Sequence, residues 1–450
     1  MTALLNAVSN LSAIERGATR TFVSGRGVYV RDAEGKEYIE GMAGLWCTAL
    51  GYGNEELAET AAEQLRTFSY CQLFAGKRHP TAIALAEQLA AMLPIDQARV
   101  FFGNSGSDAN DTLFKLIKYY FNAIGRPDKK KIIVRQTAYH GTTVATAALT
   151  GLPLFHQQWD LPVDALGILR VACPHYWKFG QPGESEEAFA ARMVDEIEQL
   201  ILREGPDTIA AFFAEPLQGA GGVVLPPRGY FERLQALLAR HDILLVDDEV
   251  ICGFGRTGND FGATTYGMRP HMMTLAKALT SAYVPLSAAV IPGFMFDAMC
   301  SASAKLGNFA HGYTYSGHPL ACAVAIKTLE IYARDRVFEH AREAGTYFQK
   351  QLNALADHPL VGETRGVGLV CGIELAPDRS GKRLFEGGRI GQFCMDRAEV
   401  HGLICRAIGN TIALCPPLIV TPAQIDEIFA KLRLALDDTL DLARKEGLIS

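Results

Sequence analysis

A run of acids and a lysine in apolar company carry the strongest chemical signal in this chain of 450 residues. Asp247, Asp248 and Glu249 close the apolar run Ile243-Leu-Leu-Val246, and Lys277 lies downstream within Thr274-Leu-Ala-Lys-Ala-Leu279. A lysine stripped of water holds its charge poorly, tends to lose a proton and becomes a nucleophile. With a carboxylate in the same apolar setting it makes the pair that a pyridoxal 5'-phosphate site uses: the lysine for covalent attachment, the acid for the ring nitrogen. A buried structural ion pair has the same two residue types. Side chains alternate along a strand, so Asp248 and Val250 share one face while Asp247 and Glu249 point away, with Arg256 as a partner for Glu249.

Other constellations carry two readings each. Gly103-Asn-Ser-Gly-Ser-Asp108 stands between an apolar run and a helical pattern. Free N–H groups at a helix start, Gly106 for close approach and the hydroxyls of Ser105 and Ser107 suit a phosphate. A capped turn with Ser107 or Asp108 as N-cap needs the same residues. Tyr139-His140-Gly141 offers a flat aromatic to stack on a flat ligand, or a half-buried tyrosine that only packs. Glu215, before Pro216, is a polar site residue or half of a buried salt bridge. Arg406, after Leu403-Ile-Cys405, binds a substrate carboxylate in bidentate fashion or pairs with a structural acid. His311 and His318 bracket Gly-Tyr-Thr-Tyr-Ser-Gly, which without flanking acids reads as a tight loop rather than a metal site.

The elements that must position these residues read as α/β. From Arg99 onward, strands at Val100–Phe102, Lys131–Val134, Thr208–Phe213, Ile243–Val246 and Ala288–Ile291 are expected, with helices from Asp108 and at Tyr230–Arg240. That alternation predicts a mostly parallel sheet with helices on its faces, where ligands sit at the C-terminal ends of the strands. Upstream, Val28–Ile39 predicts a hairpin turning at Gly35, and Glu55–Thr67 and Pro80–Met92 predict helices. An alanine-rich helix around Ser316–Arg334 leads into a region with helices at Val337–Ala354, Ile390–His401 and Ala423–Lys445. Short strands are expected there at Gly366–Ile373 and Ile412–Leu414. The expected division is 1–60 as an N-terminal segment packing with the small domain, 61–325 as the large domain and 326–450 as the small C-terminal domain.

With 49% apolar and 20% charged residues and a net charge of −6, the chain has a globular makeup and no basic footprint for nucleic acid. No stretch approaches the roughly 20 apolar residues of a membrane span, and Met1-Thr-Ala-Leu-Leu-Asn does not read as a secretory signal. Ten scattered cysteines contain no CxxC pair, which predicts free thiols in a reducing cytoplasm.

Taken in order, these motifs resemble the class III (ω-) aminotransferases of pyridoxal-phosphate fold type I, from the hairpin near Val28 to Pro416-Pro417. The most specific are Asp248-Glu-Val-Ile-Cys-Gly-Phe-Gly-Arg-Thr-Gly258 with Lys277, and His311-Gly-Tyr-Thr-Tyr-Ser-Gly-His-Pro319. Gly44-Leu-Trp-Cys-Thr-Ala-Leu-Gly51, Cys173-Pro-His-Tyr-Trp177 and Glu204-Gly-Pro-Asp-Thr-Ile-Ala-Ala-Phe212 look most like 4-aminobutyrate:pyruvate transaminases. The resemblance implies a large domain with a mostly parallel sheet and a smaller α/β domain from both chain ends. It implies a homodimer or dimer of dimers that moves an amino group from an ω-amino acid or amine to a 2-oxo acid, pyruvate being the expected acceptor. Lys277 would carry the cofactor and shuttle the proton between Cα and C4′; Asp248 would keep the ring nitrogen protonated. Tyr139 and Val250 would sandwich the ring, with His140 and Glu215 beside it. Ser105, Gly106 and Ser107 would hold the phosphate, joined by Thr314 of the neighbouring subunit. Trp46, Tyr70 and Arg406 would line the substrate pocket.

A decarboxylase or aminomutase on the same scaffold would use the same Asp248 and Lys277, and a non-catalytic cofactor-binding protein is a third reading. The chain also departs from its family. Ala278-Leu-Thr-Ser-Ala-Tyr-Val-Pro-Leu-Ser287 stands where many relatives carry Gly-Leu-x-x-Gly-Tyr-x-Pro-Leu-Gly. Ser69-Tyr-Cys-Gln-Leu-Phe74 stands where close relatives are bulkier or carry a histidine, so the amine donor is open.

Overall fold

The computed structural model describes residues 3–449. An antiparallel meander opens it: β1 (Phe22–Arg26), β2 (Tyr29–Asp32) and β3 (Glu37–Glu40). The last two form the expected hairpin, with Gly35 at φ +85°, a left-handed turn position that glycine takes without strain. β1 was not expected; its residues are mostly exposed and show no apolar alternation.

The body is a seven-stranded sheet of β4 (Arg99–Gly103), β5 (Lys131–Arg135), β6 (Ile168–Val171), β7 (Ile209–Ala214), β8 (Leu244–Asp248), β9 (Met272–Leu275) and β10 (Ser287–Ile291), ordered β4-β10-β9-β8-β7-β5-β6. Only β10 runs against its neighbours; β9-β8-β7-β5-β6 pair in parallel. β7, β8 and β10 are buried at every residue, which a sheet covered on both faces demands and which produces unbroken apolar runs. Alternate residues feed two cores: Phe213, Val246 and Met272 meet Leu113 and Ile117 of the helix Gly106–Ala123. Phe212, Leu245 and Met273 meet the helices Glu186–Glu204 and Tyr230–Arg240 through Ile197, Leu234 and Leu238. The five expected strands are present within a residue or two. β6 and β9 were missed because one is half-exposed at the sheet edge and the other is a four-residue methionine-rich segment.

Toward the C-terminus come β11 (Val361–Val367), β12 (Val370–Leu375), β13 (Leu403–Ile404), β14 (Arg406–Ile408) and β15 (Thr411–Leu414). Four of them make an antiparallel sheet, β11-β12-β15-β14, while β13 joins β3 in parallel with Leu403 opposite Ile39. The single strand expected at Gly366–Ile373 is instead a hairpin turning at Gly368-Leu369. Gly368 has φ +53°, and a Cβ there would lie 2.6 Å from the Arg256 carbonyl oxygen, so both turn and packing require glycine. The apolar run hid the turn. Helices Glu55–Thr67, Pro80–Met92 and Tyr230–Arg240 stand where apolar spacing placed them, and the long C-terminal helix is Pro422–Lys445. All ten cysteines are free; Cys300 is exposed, Cys47 and Cys71 are half-buried and the other seven are buried. Among the described residues no helix is long and apolar enough to cross a membrane.

Candidate active site

The C-terminal ends of the parallel strands converge on one cleft, and Asp248, the last residue of β8, is 3% exposed there. Asn110 Nδ2 donates to its Oδ2 at 2.7 Å, and His140 Nδ1 lies 2.8 Å from the same oxygen. Among the described residues Oδ1 accepts only the Val250 amide, at 3.2 Å, which leaves a lone pair for a further donor. Asn110 is itself fixed, donating to the His140 carbonyl at 2.9 Å and accepting from Thr274 Oγ1 at 2.7 Å. Sequence reasoning missed Asn110. Its one signal was a polar residue within the helix face that also carries Ala109, Leu113 and Phe114, all buried.

Behind Asp248, Asp247 and Glu249 point into the interior as the alternation predicts. The expected Glu249–Arg256 pair does not form. Glu249 instead accepts the amides of Gly262 and Ala263 at 3.0 and 2.6 Å, capping a short helix, and Arg256 Nη1 donates to the Leu369 and Pro416 carbonyls at 2.9 and 2.6 Å. A charge pair could not also satisfy those backbone groups. Burial pushes Glu249 up to about 7 against the pull of the two amides and Asp247, and pushes Asp247 well above the carboxylate range, where Glu249 and Asp248 add to the rise. Among the described residues neither Asp247 oxygen accepts a hydrogen bond, and its burial favours the protonated form.

Lys277 follows β9 and has φ +47°, a left-handed conformation costing about 1–2 kcal/mol outside glycine. Backbone strain of this kind persists where the surroundings over-determine it, and here it stands at the cleft. Burial pulls its ammonium below the ordinary lysine value, while Cys47, Asp248 and Glu215 pull the other way. The departures from the family pattern after Lys277 have local roles. Ser287 Oγ donates to Asp108 Oδ1 at 3.0 Å, and Ala282 sits at φ +61°.

The helix Gly106–Ala123 begins at the mouth of the same cleft. Its N-cap is Ser105, not Ser107 or Asp108: Asp108 N donates to Ser105 Oγ at 3.2 Å and Ser105 N to Asp108 Oδ1 at 3.0 Å. This capping box leaves the first-turn amides of Gly106 and Ser107 without helical partners. A Cβ on Gly106 would lie 2.9 Å from Val250 Cγ2, and one on Gly141 would lie 2.7 Å from Ser107 Oγ. The helix start, Val250 and the Tyr139–Gly141 loop are therefore packed together. Glu215 organises that loop from beneath, accepting the amides of Tyr139 and Gly219 at 3.0 Å each. Burial raises the Tyr139 phenol, Asp248 adds to that and Arg406 opposes it.

Arg406 begins β14 opposite Ala413 of β15. Burial lowers its guanidinium, partly offset by Tyr139, and among the described residues no acid pairs with it. Trp46, 3% exposed with φ +65°, packs in a cluster with Leu217, Ile251, Ala413 and Cys415. Tyr70 and Thr314 come together elsewhere, Tyr70 donating its hydroxyl to the Thr314 carbonyl at 2.7 Å. A cavity of about 780 Å³ lies by their segments, lined by Phe74, Arg78, Phe101, His311 and Gly312. His311 contacts Thr112 Oγ1 at 3.0 Å and Lys115 Nζ at 2.9 Å, and His318 caps the helix Pro319–Arg334. Both histidines are thus used by the loop.

These residues fit pyridoxal phosphate. A buried carboxylate keeps a free lone pair, a lysine of lowered basicity stands close to it, and open amides at a helix start adjoin a tyrosine and a valine. A covered, mostly parallel sheet with that constellation at its C-terminal edge defines a pyridoxal-phosphate-dependent transferase of fold type I. Residues 13–436 match the family model "Aminotransferase class-III", and the chain belongs to that family. It is 47% identical over 416 residues to gamma aminobutyrate transaminase 3, chloroplastic, of Solanum lycopersicum, covering 92% of this chain and 79% of the relative. The omega transaminase from Pseudomonas jessenii in complex with PMP superposes with a TM-score of 0.96 at 46% identity, covering 98% of this chain and 97% of that one. A thermostable omega transaminase variant engineered for asymmetric synthesis of enantiopure bulky amines has the same TM-score and identity, with 98% of both chains covered. The protein is a pyridoxal-phosphate-dependent ω-aminotransferase.

Proposed function

We propose that the enzyme takes its amino group from an ω-amino acid or amine, of the 4-aminobutyrate, β-alanine or diamine type, and passes it to pyruvate, giving alanine. The observation that carries the acceptor half is Arg406, a desolvated guanidinium within the electrostatic reach of Tyr139 that no acid among the described residues neutralises. A planar cation in that setting matches the carboxylate of a 2-oxo acid, and a bidentate pair would orient the oxo carbon in the cleft. A carboxylate-free amine needs Arg406 to move aside.

Bound pyridoxal phosphate supplies the electron sink that stabilises the substrate carbanion. Asp248 holds the proton on its ring nitrogen, and Asn110 and His140 keep that carboxylate in place. Gly106 and Ser107 offer amides to the phosphate, with Ser105 shaping the turn; Tyr139 and Val250 bracket the ring plane. Lys277, whose burial favours the neutral amine, would hold the cofactor and would carry the proton at the substrate's α-carbon. Thr314 and Tyr70 are joined by a hydrogen bond, with their chain neighbours lining the 780 Å³ cavity, and we assign them to the cleft of a second copy in a homodimer. Trp46 closes the floor under the substrate. Free thiols fit a cytoplasmic location.

The test is the visible band of the cofactor-loaded protein with 4-aminobutyrate and then pyruvate. Loss of the band with the amine, its return with pyruvate and formation of alanine are expected. A band indifferent to 4-aminobutyrate, β-alanine and diamines alike would remove the donor assignment. Arg406→Ala is expected to raise the KM for pyruvate at least tenfold; an unchanged KM would remove the acceptor site.

A further inference from the structure

The C-terminal sheet carries two arginines in one cross-strand row. Arg365 on β11 pairs with Gly372 on β12, Gly372 with Ala413 on β15, and Ala413 with Arg406 on β14. Residues opposite one another in a sheet share a face, so Arg365 and Arg406 emerge on the same side with two small residues between them. Arg406 is unpaired. Arg365 is the most heavily bonded arginine along the row. Its Nε donates to the carbonyls of Gly222 and Val223 at 3.0 and 3.1 Å, and its Nη2 to Gly222 at 2.5 Å. Both belong to the loop after β7 that also contains Gly219, one of the amides held by Glu215.

The carboxylates around Arg365 continue this attachment. Arg365 meets Glu363 at 2.6 Å and Glu374 at 2.9 Å; Thr411 Oγ1 donates to Glu374 at 2.7 Å. From the loop after β6, His175 lies 2.8 Å from Glu363 and Lys178 lies 2.7 Å from Glu374. His175 of the Cys173-Pro-His-Tyr-Trp177 motif, with Lys178 after it, thus clasps the C-terminal sheet. Between the two arginines the fit is close: a Cβ on Gly372 would lie 2.8 Å from the Gly222 carbonyl oxygen. Ala413 rests on the cluster of Trp46 and Leu217. The row is seated on the large sheet's loops at one end and overhangs Tyr139 at the other.

We propose that Arg365 is a positioning residue for substrate carboxylates: by clamping its end of the row to the Gly222–Val223 carbonyls it sets the reach of Arg406 over the cofactor cleft. The proposal rests on Arg406 being the carboxylate site. Arg365 never touches substrate, and Gly372 and Ala413 transmit its seat because they leave no slack. Selection between carboxylate-bearing and carboxylate-free substrates then depends on a clamp three strands away.

The experiment measures, for the holoenzyme, the KM for pyruvate and that for a carboxylate-free amine the enzyme accepts, in Arg365→Lys and Gly372→Ala. Lysine keeps the charge and loses the fork; the added methyl wedges the row off Gly222 with every charge intact. In either variant the pyruvate KM is expected to rise about tenfold, with the amine half-reaction within about twofold of the parent. If one variant does not fold, the other is read alone. KM values that move together, or not at all, overturn the proposal. Arg406→Ala separates the two failures: if it raises the pyruvate KM while the row variants do not, only the positioning role is lost. If Arg406→Ala leaves that KM unmoved, the acceptor site itself is wrong.

Discussion

Asn110 has no chemistry of its own, yet its amide holds the Asp248 oxygen that His140 also contacts. A hydrogen bond to a charged group is worth about 1.5–3 kcal/mol, so Asn110→Leu is expected to lower kcat about ten- to a hundredfold. Single-turnover amine half-reactions measure this; a rate within twofold of the parent would show that His140 alone fixes Asp248. Glu40, at the end of β3, tests burial at the same scale. Burial pushes its carboxyl from 4.5 up to about 7, although the Met42 amide and the Tyr52 hydroxyl oppose this. The folded state therefore holds the extra proton between those values, and stability falls as pH rises through that window. A shift of that size corresponds to about 3 kcal/mol. Glu40→Gln should raise the melting temperature at about pH 8 and change it little near pH 4.5. Equal shifts at both would mean that the carboxylate costs nothing in the fold.

Two elements join the loops after β8 and β9 to the rest. Arg256 and Gly368 interlock the loop after β8 with the β11–β12 turn, so Gly368→Ala should cost about 2 kcal/mol or more through φ and the collision with the Arg256 carbonyl. Thermal melts would register it as a drop of several degrees; an unchanged melt would mean that the turn can open freely. Ala282, exposed at φ +61° where many relatives carry glycine, predicts the reverse sign. Ala282→Gly should stabilise by about 0.5–1 kcal/mol, the relief of left-handed strain exceeding glycine's entropy. Elements were legible wherever burial was continuous or one-sided. β7 and β8 read as apolar runs and the helices by their spacing; Asp248 with Lys277 stood out by residue type, while their roles came from the family resemblance. What stayed hidden depends on distant partners: the hairpin at Gly368 needs Arg256, the Ser105 cap needs the Asp108 rotamer, and Glu249 prefers two amides to the arginine nearest in sequence.

For the whole molecule, the proposed assignment of Tyr70 and Thr314 to the cleft of a second copy implies that a lone chain would be an incomplete enzyme. Light scattering should give a mass near twice 48.9 kDa, or a multiple of that, and an active species of 48.9 kDa would refute the assignment of these residues to a second copy. The cysteines carry a different consequence. Seven of the ten are buried and spread over both halves of the chain, from the loops after β6 and β8 to β12 and the segment after β15, while Cys300 alone is exposed. The chain therefore carries a built-in clock for its own opening. A thiol reagent should consume one equivalent at once and two more slowly, and then report, sulfur by sulfur, which core breathes first as the temperature rises.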